Sequence, residues 1–170
     1  MDLSIVCVCT GNAARSVIAG AAFADRLPDA RIATCGTHVV EGMPLSWRTQ
    51  SGINAVGLHV RGHRSRQARG DELAAADLIV GLAPDHVSWV RRNHPDAAPR
   101  TGTLRRLCRD LPGTQGSWAA RLAALDLAAV ALERWEEVDD PAGGEEEDYI
   151  RCAQDVVALV DVLAVELGAA

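Results

Sequence analysis

Residues 3–16 read LSIVCVCTGNAARS, and their residue types predict a strand, a loop and the start of a helix in succession. Its first part, residues 3–8, is short, apolar and rich in β-branched side chains. Such a run is typical of a strand buried on both faces of a parallel sheet. Small residues follow from Cys9 to Ala14 and predict a loop. The Ala-rich segment 16–27 then predicts a helix, which Pro28 ends.

Outward from this stretch, predicted strands and helices alternate along the chain. Further strands are predicted over residues 31–35, 77–82 and 99–104. Further helices are predicted over residues 46–56, 72–76 with Asp71 as N-cap, 84–93, 118–137 and 145–167. Alternation of this kind indicates an α/β sandwich built on a parallel sheet.

Length and composition narrow the class of protein. The chain has 170 residues, so we expect residues 1–170 to form a single domain. Its 48% of hydrophobic and 24% of charged residues are typical of a globular protein and exclude global disorder. A net charge of -6 argues against nucleic acid as a partner. All 17 basic residues are Arg, which excludes Schiff-base and Walker-type lysine chemistry.

The first residues, the apolar runs and the cysteines bear on where in the cell the protein is expected. The chain starts without a basic segment followed by a long apolar one, so we expect no signal peptide. The richest apolar run, residues 122–132, is interrupted by Asp126 and is too short to span a bilayer. The five cysteines are scattered. Together these features predict reduced thiols, a cytoplasmic location and no membrane partner.

Cys9 and Arg15 lie at the two ends of the loop between the first predicted strand and the first predicted helix. The residue types in this loop are suited to binding a phosphate group. A cysteine nucleophile reacts as its thiolate, which a helix N-terminus and a nearby cation stabilise. Backbone N–H groups of small residues can converge on one anion, and Asn12 tolerates the left-handed backbone of such a cradle. Gly11 leaves the rim without a Cβ, and Ser16 can donate to the thiolate. An arginine can bind two phosphate oxygens side by side.

A second candidate is Asp140, which precedes Pro141 in the segment VDDPAGG. A carboxylic acid on a loop can protonate the leaving oxygen in phosphoryl transfer. The alternative is a plain turn, which Asp-Pro commonly starts. Cys7 and Cys9 form a C-x-C without a second pair nearby, so we predict no metal site.

Taken together, five segments resemble the low-molecular-weight protein tyrosine phosphatase family in order and spacing. They are VCVCTGNAARS at 6–16, TCGTHVVEGMP at 34–44, GLHVRGHRSRQ at 57–67, ADLIVGLAPDH at 76–86 and DDP at 139–141. The resemblance implies a three-layer α/β sandwich, with helices on both faces of a four-stranded parallel sheet in the order 2-1-3-4. It also implies that the enzyme uses no metal or organic cofactor.

The resemblance also implies roles for particular residues. Cys9 would be the nucleophile, Arg15 the phosphate clamp and Asp140 the general acid. A polar network that shapes the loop would contain Asn12, Ser16, Thr34 and His63. The residues expected to surround the bound phosphate are Thr10, Gly11, Asn12, Ala13, Ala14 and Ser16.

Departures from the family pattern bear on the substrate. Ala142 and Gly143 stand where aromatic residues commonly follow Asp-Pro, and residues 38–40 contain no aromatic residue. Residues 111–138 also form a longer segment than the family has. Because an aryl phosphate is normally held between large apolar walls, the bare rim slightly favours a small metabolite phosphate, such as a sugar or nucleoside phosphate. Protein phosphotyrosine is the alternative substrate.

Two other classes of function are alternatives to a cysteine-dependent phosphatase. An arsenate reductase of the thioredoxin-linked type needs further cysteines, and residues 53–106 contain none. A variant that uses an external thiol stays open. A binding module with an inactive site is disfavoured, because Cys9, Arg15 and Asp140 are all present.

Overall fold

The computed structural model describes residues 3–168, and a four-stranded parallel sheet lies at its centre. The strands are β1 (Ser4–Cys9), β2 (Arg31–Gly36), β3 (Leu78–Gly81) and β4 (Thr101–Thr103). Their order is β2-β1-β3-β4, and every neighbouring pair is parallel. The predicted sheet order is therefore confirmed.

Helices follow the strands in chain order. They are α1 (Arg15–Arg26), α2 (Trp47–Ala55), α3 (Gly70–Ala75), α4 (Pro84–Asn93), α5 (Leu104–Asp110), α6 (Trp118–Ala124) and α7 (Glu146–Gly168). Short 3-10 turns occupy Pro95–Arg100, Leu111–Gly113 and Arg134–Glu136. Among the residues that the structure describes, no helix is both long and apolar enough to cross a membrane.

The core lies on both faces of the sheet, as expected for a three-layer sandwich. Successive side chains of a strand point to opposite faces, and β1 shows this directly. Ile5, Cys7 and Cys9 pack with side chains of α1, α5 and α7. Val6 and Val8 pack on the other face with side chains of α3 and α4. Burial on both faces explains why β1 reads as an uninterrupted apolar run.

The long helix predicted over residues 118–137 is wrong. Helix α6 ends at Ala124, and Asp126 adopts a left-handed conformation with φ 47°. Beyond it the chain turns so that the Leu127 side chain is buried in the core, while its carbonyl accepts hydrogen bonds from the Arg91 guanidinium. Tertiary contacts therefore outweigh the helix propensity of this Ala- and Leu-rich segment.

Two smaller predictions are also corrected. Helix α3 begins at Gly70 with Arg69 as its N-cap residue, so Asp71 is not the cap. Its carboxylate lies in the first turn instead, where negative charge is favourable. Strand β4 is shorter than predicted because Pro99 belongs to a preceding 3-10 turn. The fixed φ and missing N–H of proline suit that turn better than a strand.

Candidate active site

Cys9 and Arg15 lie at the two ends of a loop that joins β1 to α1. Cys9 is the last residue of β1, and Arg15 is the first of α1. No side chain caps the first turn of α1, so its N–H groups and its positive dipole end face the loop. The Cys9 Sγ lies 3.0 Å from the Ser16 Oγ, as the sequence predicted. A buried thiol, a hydroxyl and a helix N-terminus thus converge on one anion-binding position.

The side chain of Asn12 holds the loop in shape. Asn12 is fully buried and has a left-handed backbone with φ 51°, in agreement with the sequence prediction. Its Nδ2 donates to the Ser16 Oγ at 3.1 Å and to the Thr34 Oγ1 at 3.0 Å. Its Oδ1 accepts from the Arg66 backbone N–H at 3.0 Å. One amide therefore connects the loop, α1, β2 and the segment before α3.

The backbone of the loop is held from outside as well. The Asn12 carbonyl is in hydrogen-bond contact with His63 Nε2 at 2.8 Å and accepts from Ser65 Oγ at 2.9 Å. The structure thus brings together the four residues that the family resemblance implies for one network, which are Asn12, Ser16, Thr34 and His63. Ser65 belongs to the same network and was missed.

Arg15 is buried and forms an ion pair with Asp140. Its Nη2 donates to the Asp140 Oδ2 at 2.7 Å, and its Nη1 donates to the Val138 carbonyl at 3.0 Å. The Arg15 side chain is 5% exposed and the Asp140 side chain 42%. The carboxylate is therefore the more exposed partner of the pair, at the mouth of the site.

These groups line a cleft of about 340 Å³. Its floor is the loop, including Thr10, Gly11, Ala13 and Ala14, and its walls include Ser46, Thr49, Ala142 and Tyr149. Among the described residues that line the cleft, Tyr149 is the one aromatic residue. The rim is otherwise made of small or polar side chains, as the sequence departures suggested.

Thr49 is a further contact to the loop that sequence analysis missed. It is buried, and its Oγ1 donates to the Ala13 carbonyl at 3.0 Å. Its backbone N–H is capped by the Ser46 side chain at 3.1 Å. Ser46 is a residue type that favours the N-cap of a helix, so the sequence signals this helix start. No pattern in the neighbouring residues shows that the start of the helix contacts the loop.

His86 is a third residue that the sequence analysis missed. It lies in the first turn of α4 and is buried, and its Nε2 is 3.0 Å from the Thr10 Oγ1. Burial, and then the charge of Arg15, lower the pKa of His86 to about 3. The imidazole is therefore neutral over the range in which most enzymes work.

Burial makes three of the other four thiols poor nucleophiles. All five cysteines are free, and burial raises the pKa of Cys7 far above its usual range. Burial likewise raises the pKa of Cys35 and of Cys152 to about 12 in each case. Since the thiolate is the reactive form, these three thiols are poor nucleophiles. Within residues 3–168, no group of His, Cys, Asp and Glu side chains is arranged to hold a metal ion.

A wider acidic groove of about 680 Å³ adjoins the cleft. The two share Asp140 and Ala142. Asp148 and Asp155 also line the groove, and Arg151 is its one cation among the described lining residues. Asp140, Asp148 and Asp155 are each ion-paired with an arginine, so much of the negative charge of the groove is already neutralised.

Comparisons with known proteins agree with this geometry. A model of the family described as low molecular weight phosphotyrosine protein phosphatase matches residues 4–116. A protein-arginine-phosphatase from Geobacillus stearothermophilus is 26% identical over 168 residues, covering 98% of this chain and 97% of the relative. The low molecular weight protein-tyrosine-phosphatase Etp from Escherichia coli K12 is 28% identical over 98 residues, covering 58% and 66%.

Solved structures show the same fold over the full length. The YwlE arginine phosphatase from Geobacillus stearothermophilus superposes with a TM-score of 0.78 at 25% identity, covering 98% of this chain and 94% of that one. The tyrosine phosphatase Wzb from Escherichia coli K30, solved with sulphate, superposes with a TM-score of 0.77 at 23% identity, covering 99% and 100%.

Proposed function

The chain belongs to the low molecular weight phosphotyrosine protein phosphatase family and is a phosphatase, and we propose that its substrate is phosphoarginine in proteins. The catalytic part of the proposal rests on one observation. Cys9, Arg15 and Asp140 line a single cleft at the N-terminus of α1, and the buried Ser16 hydroxyl contacts the Cys9 Sγ from behind it. That set contains a nucleophile, an anion-binding cradle and an acid.

The first step transfers the phosphoryl group to the enzyme. The Cys9 thiolate attacks phosphorus in line, so an S–P bond forms while the bond to the leaving atom breaks. The Arg15 guanidinium and the loop N–H groups hold the phosphoryl oxygens. The Asp140 carboxylic acid gives its proton to the leaving atom. The Ser16 hydroxyl, 3.0 Å from the Cys9 Sγ, stabilises the thiolate.

The second step releases phosphate. Asp140, now a carboxylate, takes a proton from a water molecule that attacks the phosphocysteine. The S–P bond breaks, the Cys9 thiolate is regenerated and inorganic phosphate leaves. This cycle requires reduced Cys9, so we place the enzyme in a reducing compartment such as the cytoplasm.

Two features of the rim support arginine as the phosphorylated residue. A protonated guanidine is a planar cation, and the Asp140 carboxylate, although paired with Arg15, is 42% exposed in the cleft and can face such a cation. The small side chains of Ala13 and Ala142 leave room for a planar group against Tyr149. Similarity to the protein-arginine-phosphatase also extends over 98% of the chain, against 58% for the tyrosine phosphatase Etp.

Two other substrates have a specific observation behind them. Tyr149 offers a ring to an aryl phosphate, and this supports protein phosphotyrosine. The bare rim supports a small metabolite phosphate, which needs no wall for an aromatic ring. All three substrates use the same phosphocysteine chemistry.

A three-way turnover assay tests the substrate. One peptide is prepared with phosphoarginine or phosphotyrosine at the same position, and a panel of sugar and nucleoside phosphates is run beside it. We expect kcat/KM to be at least about tenfold higher for phosphoarginine, a discrimination within the reach of pocket contacts. Faster turnover of phosphotyrosine or of a metabolite phosphate would overturn the substrate assignment. Cys9→Ser serves as the blank for contaminating phosphatases.

A further inference from the structure

His86 carries a buried nitrogen that the proposed chemistry does not use. Its side chain is 2% exposed, and its Nδ1 has no hydrogen-bond partner among the residues that the structure describes. Its Nε2 is 3.0 Å from the Thr10 Oγ1. Thr10 is exposed and lines the cleft directly after Cys9. A buried imidazole thus contacts a hydroxyl on the floor of the site.

The two ring nitrogens have different environments, and this selects a tautomer. A neutral imidazole carries one proton, either on Nδ1 or on Nε2. Nδ1 has no partner in either tautomer, but a buried N–H donor without an acceptor is rarer in native proteins than a buried acceptor without a donor. A proton on Nε2 is satisfied by the Thr10 Oγ1. The Nε2–H form is therefore favoured, with Nδ1 as an unprotonated acceptor.

That tautomer determines what the Thr10 hydroxyl can do. Because Oγ1 accepts from His86, its own hydrogen is directed elsewhere. Within residues 3–168, no protein acceptor is in hydrogen-bond contact with this hydroxyl apart from the His86 nitrogen. The floor of the cleft is where a phosphoryl oxygen lies in the proposed reaction, and such an oxygen accepts strongly.

We propose that His86 is a positioning residue, which holds the Thr10 hydroxyl so that its proton is donated to a phosphoryl oxygen in the cleft. The proposal rests on the phosphatase mechanism above and adds two side chains to it. Thr10 contacts the phosphoryl group, and His86 acts through Thr10. The neutral state of His86 keeps this arrangement in place, because a protonated ring would also demand an acceptor at Nδ1.

Inorganic phosphate is the probe, and its dissociation constant is measured by calorimetry on the full chain. Thr10→Val keeps the shape and removes the hydroxyl, so we expect phosphate to bind about tenfold more weakly. His86→Leu leaves the hydroxyl free to turn away, and we expect a loss of about three- to tenfold. Thr10→Ser and His86→Gln keep the two donors, and each should restore most of the affinity.

A double-mutant cycle separates positioning from a merely structural effect. In the Thr10→Val background, His86→Leu should change phosphate affinity less than about twofold, since there is no hydroxyl left to orient. Equal losses in both backgrounds would overturn the proposal, and so would unchanged affinity in His86→Leu. The His38 ring, 3.1 Å from the Thr37 hydroxyl but outside the cleft lining, supplies the control His38→Leu.

A measurement on the unmutated protein protects the test against a variant that fails to fold. The ¹⁵N resonance of His86 Nε2 should show a protonated nitrogen and that of Nδ1 an unprotonated one. The reverse assignment would overturn the proposal. If the wild type and Cys9→Ser both fail to bind phosphate, the proposed function is wrong, and so is this inference, which depends on it. If both bind but the cycle is additive, only the role of His86 fails.

Discussion

Arg15 and Asp140 are 125 residues apart in the chain, yet their side chains form an ion pair at 2.7 Å. The same guanidinium donates to the Val138 carbonyl, so it holds the segment before Asp140 as well as the carboxylate. In the proposed mechanism, Arg15 would bind phosphate and also keep Asp140 beside the bound phosphoryl group. The loop after β1 and the segment that carries Asp140 are connected through one side chain.

Replacing Cys9 with serine should abolish turnover and preserve phosphate binding. A hydroxyl is a far weaker nucleophile than a thiolate, whereas Arg15 and the loop N–H groups are unchanged. Phosphate release and calorimetric phosphate affinity are measured on the same preparation. The matched control is Cys108→Ser, which lies away from the cleft and can keep its hydrogen bond to the Leu159 carbonyl. Turnover by Cys9→Ser above a few per cent of wild type would exclude Cys9 as nucleophile.

Asp140→Asn should lower kcat by about 10²–10⁴-fold when the leaving group is poor. The amide can still accept from Arg15 but cannot supply a proton. With p-nitrophenyl phosphate the loss should be smaller, because its leaving oxygen needs less protonation. Asp161→Asn, an exposed change on α7, controls for the loss of one negative charge. An equal loss on both substrates would remove Asp140 from the acid role.

Arg15→Lys should lower kcat/KM by about 10²-fold or more, because one ammonium cannot reproduce the planar two-point grip. It also cannot bind Asp140 and the Val138 carbonyl with the same geometry. Arg26→Lys is the matched control, since Arg26 forms exposed ion pairs at the far end of the same helix. Near-normal kcat/KM in Arg15→Lys would mean that Arg15 only supports the fold.

Gly36→Ala should disable the loop through a steric clash. A Cβ at Gly36 would lie 2.5 Å from the Thr10 carbonyl oxygen and 2.9 Å from the Asn12 nitrogen, both backbone atoms of the loop. We expect phosphate affinity and turnover to fall together, while melting shows a folded protein. Gly113→Ala has no atom within 4 Å of the new Cβ and should leave both unchanged. Normal phosphate binding by Gly36→Ala would show that the loop adapts.

Glu136→Gln should destabilise the fold by about 1.5–3 kcal/mol, because Arg106 loses its shortest ion pair and keeps only the longer ones to Asp110 and Glu133. Glu136 is fully buried and accepts from Arg106 at 2.6 Å and from Thr103 at 2.6 Å. Denaturant unfolding measures the loss. Asp71→Asn breaks an exposed pair with Arg69 and should cost at most about 1 kcal/mol. Similar losses of unfolding free energy in the two variants would show that the buried ion pair stabilises the fold no more than an exposed one.

The Glu136 carboxylate should make the free energy of unfolding decrease at acid pH. Burial opposes its ionisation, but the hydrogen bonds from Arg106 and Thr103 prevail and hold the pKa of Glu136 below its usual 4.5. A carboxylate with a lowered folded pKa contributes stability above its unfolded pKa and loses it as pH falls through the folded value. The unfolding free energy of the wild type should therefore drop more steeply below about pH 4.5 than that of Glu136→Gln. Parallel pH profiles would contradict this.

Local signals were enough to predict the sheet and the loop at its edge. β1 is apolar because it is buried on both faces, and Pro84 at a helix start placed α4 over the residues observed. The spacing of Cys9 and Arg15 follows from a strand, a short loop and a helix that are contiguous in the chain. Asn12 with a positive φ was foreseeable for the same reason, because the preference belongs to the residue itself.

Segments whose structure depends on distant partners were predicted poorly. Residues 118–137 have strong helix formers, yet the chain turns at Asp126 because Leu127 fills a site in the core and Arg91 binds its carbonyl. Nothing within the segment signals either contact. Helix propensity amounts to tenths of a kcal/mol per residue, and burial of one leucine exceeds it at about 1.5–3 kcal/mol.

The order of the elements, the parallel sheet and the position of the loop after β1 follow from residues adjacent in the chain, so the sequence predicts them. The hydrogen bonds that distant groups make to that loop depend on the tertiary structure. Asp140 on Arg15, Thr49 on the Ala13 carbonyl and His86 on Thr10 all come from other elements. Parallel strands place their carboxyl ends at one edge of the sheet, so the loops that follow them meet there. Their hydrogen bonds are set by that meeting, which no local pattern encodes.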